Sequence, residues 1–198
     1  STAFGTGHVN LADGTTLDGS PTPWAQLAND MTVTGTVTMG NASSFGVWIN
    51  GKIDGTGKIV KGNDAYLILF GDNSYSGGTD ASNGILYVGH DHALGTGAVA
   101  LSGTAAIVSG NPGLTLTNDI AITGNLTAVA ADALTLGGII SGGQLNLLSG
   151  GVLTLTGVNT HASTAIGSGA ILIAGADANL GTGALEFAGG GATLQFAN

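Results

Sequence analysis

Most of this chain matches itself 86 residues further on. At that offset Leu69-Phe70-Gly71-Asp72-Asn73 aligns with Leu155-Thr156-Gly157-Val158-Asn159, and Ile85-Leu86-Tyr87-Val88 aligns with Ile171-Leu172-Ile173-Ala174. Leu94-Gly95-Thr96-Gly97 likewise aligns with Leu180-Gly181-Thr182-Gly183, and Phe4-Gly5-Thr6-Gly7 carries the same motif near the start. A second register, offset by 89, joins Leu27-Ala28-Asn29-Asp30-Met31 to Leu116-Thr117-Asn118-Asp119-Ile120, so about three residues are lost between Thr127 and Leu134. The chain thus divides into a repeat tail (1–26), one whole unit (27–115) and most of another (116–198), and reads as an excerpt from a longer rod. Tandem units of this sort bury their apolar faces against their neighbours rather than within themselves.

Within each unit the apolar residues alternate in short runs. Met31-Thr32-Val33, Val47-Trp48-Ile49, Lys58-Ile59-Val60, Tyr66 to Leu69, Ile85 to Val88 and Ala98 to Leu101 are followed in the second unit by Leu145-Asn146-Leu147, Leu153-Thr154-Leu155, Ile171 to Ile173, Ala184 to Phe187 and Leu194-Gln195-Phe196. Period two, β-branched residues and flanking Gly, Asn, Asp and Ser are strand signals. Helix signals are poor, because Gly or Thr interrupts nearly every window; the best helical candidate is the short Ala-rich stretch from Thr127 to Leu134. Two units supply too few blades for a propeller, and a sandwich does not explain a tandem duplication with such short strands. The pattern predicts an all-β parallel β-helix (a β-solenoid) of about nine coils, with three short strands per coil and a length of about 43 Å at the ~4.8 Å strand spacing.

The composition fits that prediction. The 37 Gly residues suit a chain that turns three times per coil. Charged residues amount to 8%, since like charges stacked one coil apart would repel. Three Lys and no Arg stand against twelve acids, a net charge of −9, which excludes a basic nucleic-acid groove. The absence of Cys removes disulfides and Cys-ligated metal sites. A hydrophobic content of 43% argues against disorder, and irregular Gly with three Pro argues against collagen. No apolar run approaches the ~18 residues of a membrane helix, and an export signal is expected outside this segment.

The stretch Leu67-Ile68-Leu69-Phe70-Gly71-Asp72-Asn73-Ser74-Tyr75-Ser76-Gly77-Gly78-Thr79, continued by Gly84 to Val88 and Ala93 to Val99, resembles the autotransporter-associated β-strand repeat, also called the passenger-associated transport repeat. The likeness covers 67–99 well and 153–185 in part: Asn159-Thr160 is kept, but His161 stands in the place of the Tyr and Ala162-Ser163-Thr164 in the place of Ser-Gly-Gly. It gives structural roles to Gly71, Asn73, Tyr75, Gly77, Gly78, Gly95 and Gly97, and to Gly157, Asn159, Gly181 and Gly183. The resemblance implies a right-handed β-helix in a type V secretion passenger. Such a passenger is exported through the outer membrane of a Gram-negative bacterium to the cell surface, and its full-length protein ends in an outer-membrane β-barrel. It also implies an adhesive role, with a host-cell surface protein, a glycan or the same protein on a neighbouring cell as partner.

No catalytic constellation, cofactor motif or metal signature is predicted. There is no G-x-S-x-G elbow, no lysine follows Gly95-Thr96-Gly97, and the acids are eleven Asp and one Glu, mostly in turns. His90-Asp91-His92 could in principle bind a transition metal, but its equivalent is Ala176-Asp177-Ala178, so a loop tip is expected. Candidate ligand contacts are Trp24, in the Pro-flanked stretch 21–24, Tyr75, His90 and His92; each competes with a packing or turn role. Trp48, inside a strand, is expected to be buried. The function expected is a non-enzymatic structural and adhesive stalk; the alternative is a carbohydrate-binding or carbohydrate-active β-helix of a secreted enzyme or phage fibre.

Overall fold

A computed structural model describes residues 4–19, 26–40, 46–129 and 133–197. Every strand pairing among them is parallel. Partners come from successive coils rather than from neighbouring hairpins. Val37, Ile59, Thr79, Val99, Ile120 and Ile140 form one column, 20 to 22 residues apart, and all six are buried. This is the predicted parallel β-helix, built as the alternation requires: one side of each strand faces the interior, the other faces out.

Three faces carry the ladder. One column runs from Thr16–Leu17 through Thr36–Met39, Lys58–Lys61, Thr79–Ala81 and Val99–Gly103 into the longer strands Ile120–Val129, Ile140–Leu147 and Thr160–Ile166. A second runs from Gln26–Leu27 through Val47–Ile49, Tyr66–Leu69, Ile85–Val88 and Ala106–Ser109 into the same three long strands and on to Ala184–Phe187. The columns are therefore eight and nine strands deep. The third face begins as Val9–Leu11, Met31–Val33 and Ile53–Gly55 and ends as Leu114–Leu116, Leu134–Leu136, Val152–Leu155, Ile171–Ala174 and Thr193–Phe196. Between these two sheets the chain keeps its place by single main-chain bonds, in which Ser74 N donates to Ile53 O, Ser76 N to Gly55 O and Thr96 N to Tyr75 O. The interior is a continuous stack of Leu, Ile, Val, Met and Ala from Leu17 to Leu172.

One detail differs from the expectation. Three separate strands per coil hold through the coil that contains Tyr66–Leu69, the next two coils keep two strands each, and in the three long strands two faces share one bent strand. The corner there has shrunk to Gly124, or to Gly142-Gly143, with a register shift between Ile122 and Asn125. The all-β reading holds at the weak helical candidate too: Thr127 to Val129 lie in a strand and Leu134 opens another, while 130–132 fall outside the described residues. The helical element found is a single 3-10 turn, Asp177–Asn179.

The repeat and the coil do not share a period. From Ile85 the ladder climbs through Ala106, Thr127 and Asn146 to Ala165, four coils in 80 residues. The repeat equivalent of Ile85 is Ile171, which lies beyond that rung in the sheet of the third face. One repeat is thus four coils plus a strand, and equivalent residues of the two units face different sides of the rod.

Corners are held by side chains whose spacing matches the coil. Asn29 Nδ2 donates to Gly5 O (3.2 Å) and Gly7 O (2.6 Å), and its equivalent Asn118 Nδ2 donates to Gly95 O (3.1 Å) and Gly97 O (2.8 Å), so the Gly-Thr-Gly motif presents two carbonyls to the asparagine of the next coil. Asn73 Oδ1 accepts from Ile53 N (2.7 Å) and its Nδ2 donates to Ala93 O (2.6 Å), a bridge over three coils that Asn159 repeats between Ile140 and Asn179. Asp13, Asp30, Asp91 and Asp119 each accept a main-chain N–H from the following coil at 2.6–2.9 Å. Gly71 and Gly157 are required by space rather than by backbone angle: a Cβ there would collide with the carbonyl of Gly51 or Gly138 on the coil beneath.

Tyr75, His161 and Lys61 bring polar groups into this core. Tyr75 is wholly buried with its hydroxyl 2.7 Å from Thr79 Oγ1; His161 takes the same place in the second unit, with Nε2 2.7 Å from Thr164 Oγ1, and burial pushes its pKa down. Lys61 is buried with Nζ donating to Asn63 O (2.5 Å) and Asn83 O (2.7 Å); burial lowers its pKa to about 8, against a smaller opposing pull from Asp64.

Replacing Asn73 by Ala leaves an N–H and a carbonyl unsatisfied inside the corner, and is expected to cost roughly 2–4 kcal/mol, read as a lowered urea midpoint. For Lys61 the unfolded chain holds the proton up to its ordinary value of 10.5 and the folded chain only to about 8. Between those values the unfolded state binds more protons, so stability should rise with pH over that window. Urea titrations of the protein and of Lys61→Met across it should show the rise in the first and a flatter profile in the second.

Candidate functional site

The strands Val47–Ile49, Tyr66–Leu69 and Ile85–Val88 point Val47, Ile49, Leu67, Leu69, Leu86 and Val88 into the core. Their alternate residues, Trp48, Ile68 and Tyr87, are in register on the outside. Phe70, just past the second strand, inserts its ring between the two aromatic neighbours, with centroids 5.6 Å from Trp48 and 6.1 Å from Tyr87. Distances of this order are attractive for offset or tilted rings. The Phe70 ring lies over Gly89 and the Tyr87 ring over Gly110, where any side chain would displace them. Together with Tyr66 these residues line a shallow, mainly apolar groove of about 330 Å³.

Trp48 departs in part from its expectation: it lies on the outer pleat and is only partly buried, although Nε1 is sealed from solvent without a hydrogen-bond partner among the described residues. The signal for this was present in the triplets Val47-Trp48-Ile49 and Leu86-Tyr87-Val88, where the aliphatic flanks claim the core and leave the aromatic centre outside. Tyr75, by contrast, offers no surface to a ligand because its ring is wholly within the core. Trp24 lies outside the described residues.

His90 and His92 sit one corner beyond Tyr87, and the structure joins them to Asp72, which the coil period places beneath. His92 Nδ1 lies 2.7 Å and His90 Nδ1 3.7 Å from Asp72 Oδ1. An ionised carboxylate can only accept, so His92 carries its proton on Nδ1. His90 Nδ1 in turn accepts from the His92 main-chain N–H at 3.1 Å. The hydrogen bond from His92 holds the Asp72 carboxyl below the usual carboxylate range; desolvation opposes it, and the charges of the two imidazoles and Lys52 add to it. All three side chains are open to solvent, with side-chain exposures of 68% for Asp72, 40% for His90 and 59% for His92. Asp72 is not one of the aspartates capping a backbone N–H of the next coil; its polar contacts among the described residues are the two histidines.

The chain is similar to the adhesin BmaC autotransporter of Brucella suis biovar 1 (strain 1330), with 32% identity over 133 residues. The match covers 65% of this chain and 4% of that protein, so the chain spans a small fraction of the curated relative it matches. No family model matches the chain, and no solved structure matches it.

Phe70 should be the keystone of the aromatic groove. With Trp24 replaced by Phe, so that Trp48 is the sole indole, Phe70→Ala is expected to red-shift tryptophan emission and to cost about 1–3 kcal/mol through lost ring contacts and burial. Fluorescence spectra and urea titration of the same samples check both.

Proposed function

We propose that this chain is a segment of a secreted autotransporter passenger, a β-helical stalk on the surface of a Gram-negative bacterium, which helps the passenger to be exported and folded and which takes part in adhesion. The observation that carries the reading is the likeness to an autotransporter adhesin over 65% of a chain whose described residues fold as a parallel β-helix. In the full-length protein the passenger is followed by an outer-membrane β-barrel. The 67–99 stretch and its partial copy at 153–185 are read as autotransporter-associated β-strand repeats. Such a segment suits export unfolded and folding coil by coil, because each new coil finds its hydrogen-bond partners on the coil already formed. The absence of Cys also suits passage through an oxidising periplasm.

The role is binding rather than catalysis. Asp13, Asp30, Asp91 and Asp119 tie one coil to the next, and Asp54 and Asp80 are engaged by Thr32 and Lys58, so half of the twelve acids have structural partners rather than a place in glycosidic chemistry. The groove of Trp48, Tyr66, Phe70 and Tyr87 is the surface best suited to meet a partner: a host-cell surface protein or glycan, or the same protein on a neighbouring cell. The same groove favours a second reading, a carbohydrate-binding β-helix of a secreted enzyme or phage fibre, since aromatic faces stack on sugar rings.

In cells expressing the full-length protein, protease added outside should cleave this segment while the membrane stays intact. Phe70→Ala combined with Tyr87→Ala should lower adhesion at least about tenfold, or 1.4 kcal/mol, with surface display unchanged. Unchanged adhesion would assign the segment to the stalk alone, and selective retention on a glycan array without cell adhesion would favour the second reading.

A further inference from the structure

The geometry points to a divalent transition-metal site formed by Asp72, His90 and His92, taking Zn²⁺ or a cation of similar preference. One ligating atom from each of the three residues lies within 4.8 Å of the others. A tetrahedral zinc with bonds of about 2.0–2.1 Å needs its ligand atoms roughly 3.3 Å apart. The Asp72–His92 and Asp72–His90 separations of 2.7 and 3.7 Å bracket that value. The rings that must adjust are 40% and 59% exposed, so they can turn without disturbing the core, and His90 Nδ1 gives up the hydrogen bond it accepts from His92 N to present its lone pair. A cation entering between them replaces the proton now shared by His92 and Asp72: His92 shifts its proton to Nε2 and presents the Nδ1 lone pair, and the carboxylate is already ionised. Two imidazoles and one carboxylate are a borderline donor set that suits zinc, copper or nickel; calcium and magnesium prefer all-oxygen shells. Three protein ligands leave a fourth position open to water or to a group from another molecule.

The repeat supplies an internal control. The equivalents of Asp72, His90 and His92 are Val158, Ala176 and Ala178, so all three ligands are replaced together in the second unit. The framework around them is kept: Gly71 and Gly157, Asn73 and Asn159, Asp91 and Asp177, Leu94 and Leu180. The turn is kept as well, with Ala93 N donating to His90 O and Asn179 N to Ala176 O, both at 3.0 Å. The corner folds without the three residues, so the fold does not require their side chains. This inference does not depend on the adhesive reading, because the ligands are outside the aromatic groove and need no partner.

Calorimetric titration of the 198-residue protein with zinc chloride tests it. One ion per chain is expected, with a dissociation constant in the micromolar range and little heat from calcium or magnesium. His90→Ala with His92→Ala should weaken uptake at least about tenfold and Asp72→Asn should weaken it less, with unchanged circular dichroism. His8, whose Nε2 is 2.9 Å from Thr32 Oγ1, and the buried His161 should leave the stoichiometry unaffected when each is replaced by Gln. Grafting the set onto the second unit, as Val158→Asp, Ala176→His and Ala178→His, should raise the stoichiometry to two. Zinc uptake confined to millimolar concentrations, equal uptake by the double histidine variant, or a graft that adds no second ion would each overturn the assignment.

Discussion

The hydrogen bond from one coil to the next is the constraint on which the rest of this molecule depends. Apart from tight turns such as Ala93 N to His90 O, a coil of some 20 residues has no internal partner for its main-chain N–H and C=O groups, and those that are buried must be met from above or below. On the flat faces the parallel ladder does this. At the corners, where the ladder stops, side chains of the right reach take over: asparagine supplies a donor and an acceptor, aspartate an acceptor for one N–H. Carbonyls stacked so closely leave no room for a Cβ, and that makes Gly71 and Gly157 glycine. A composition rich in Gly, Asn and Asp and poor in other charge is the chemical record of these corners.

The mismatch between repeat and coil governs how the surface can be used. Because one repeat is four coils plus one strand, the second copy of any motif is turned to another face of the rod. A sequence duplication therefore does not lay down a stripe of identical sites. Ile85 to Val88 carry Tyr87 outward beside Phe70, whereas Ile171 to Ala174 pack in a sheet with Leu153 and Leu194 neighbours and bear Ile173 at the matching position. Selection on the two units could thus diverge outside while the core was held constant. The replacement of Asp72, His90 and His92 by Val158, Ala176 and Ala178 over an unchanged turn is the plainest case.

The strands were readable from the sequence because alternation is a local signal. Met31–Val33, Val47–Ile49, Tyr66–Leu69, Ile85–Val88 and Ile171–Ala174 lie where the apolar pattern places them. The corners were readable as glycine-rich turns, though the reason at Gly71 is crowding from Gly51 rather than a left-handed backbone. What alternation cannot give is the stacking register, and the candidate sites live there. Asp72 meets His92 because 20 residues is one coil at that corner, and Phe70 meets Trp48 and Tyr87 for the same reason. The resemblance drew attention to Tyr75 for its place in a motif, and the core claimed it; Trp48, judged by its strand alone, went the other way.

The carboxylate–imidazole cluster lies where the third face lacks a regular strand, one corner beyond the aromatic groove. Between Ile53–Gly55 and Leu114–Leu116 that face is carried by single main-chain bonds and by Asn73 and Asn118. A strand fixes the direction of every residue it contains, since neighbours on the ladder impose the pleat. A segment pinned at separate points by side-chain amides keeps its stacking while the chain between the pins turns instead of following the pleat, as 91–94 does. That freedom lets two imidazoles reach the carboxylate of the coil beneath, and lets Gly89 leave room for the Phe70 ring. The asparagine pins thus do more than stabilise the rod: they mark the places where a solenoid can carry chemistry without breaking its ladder.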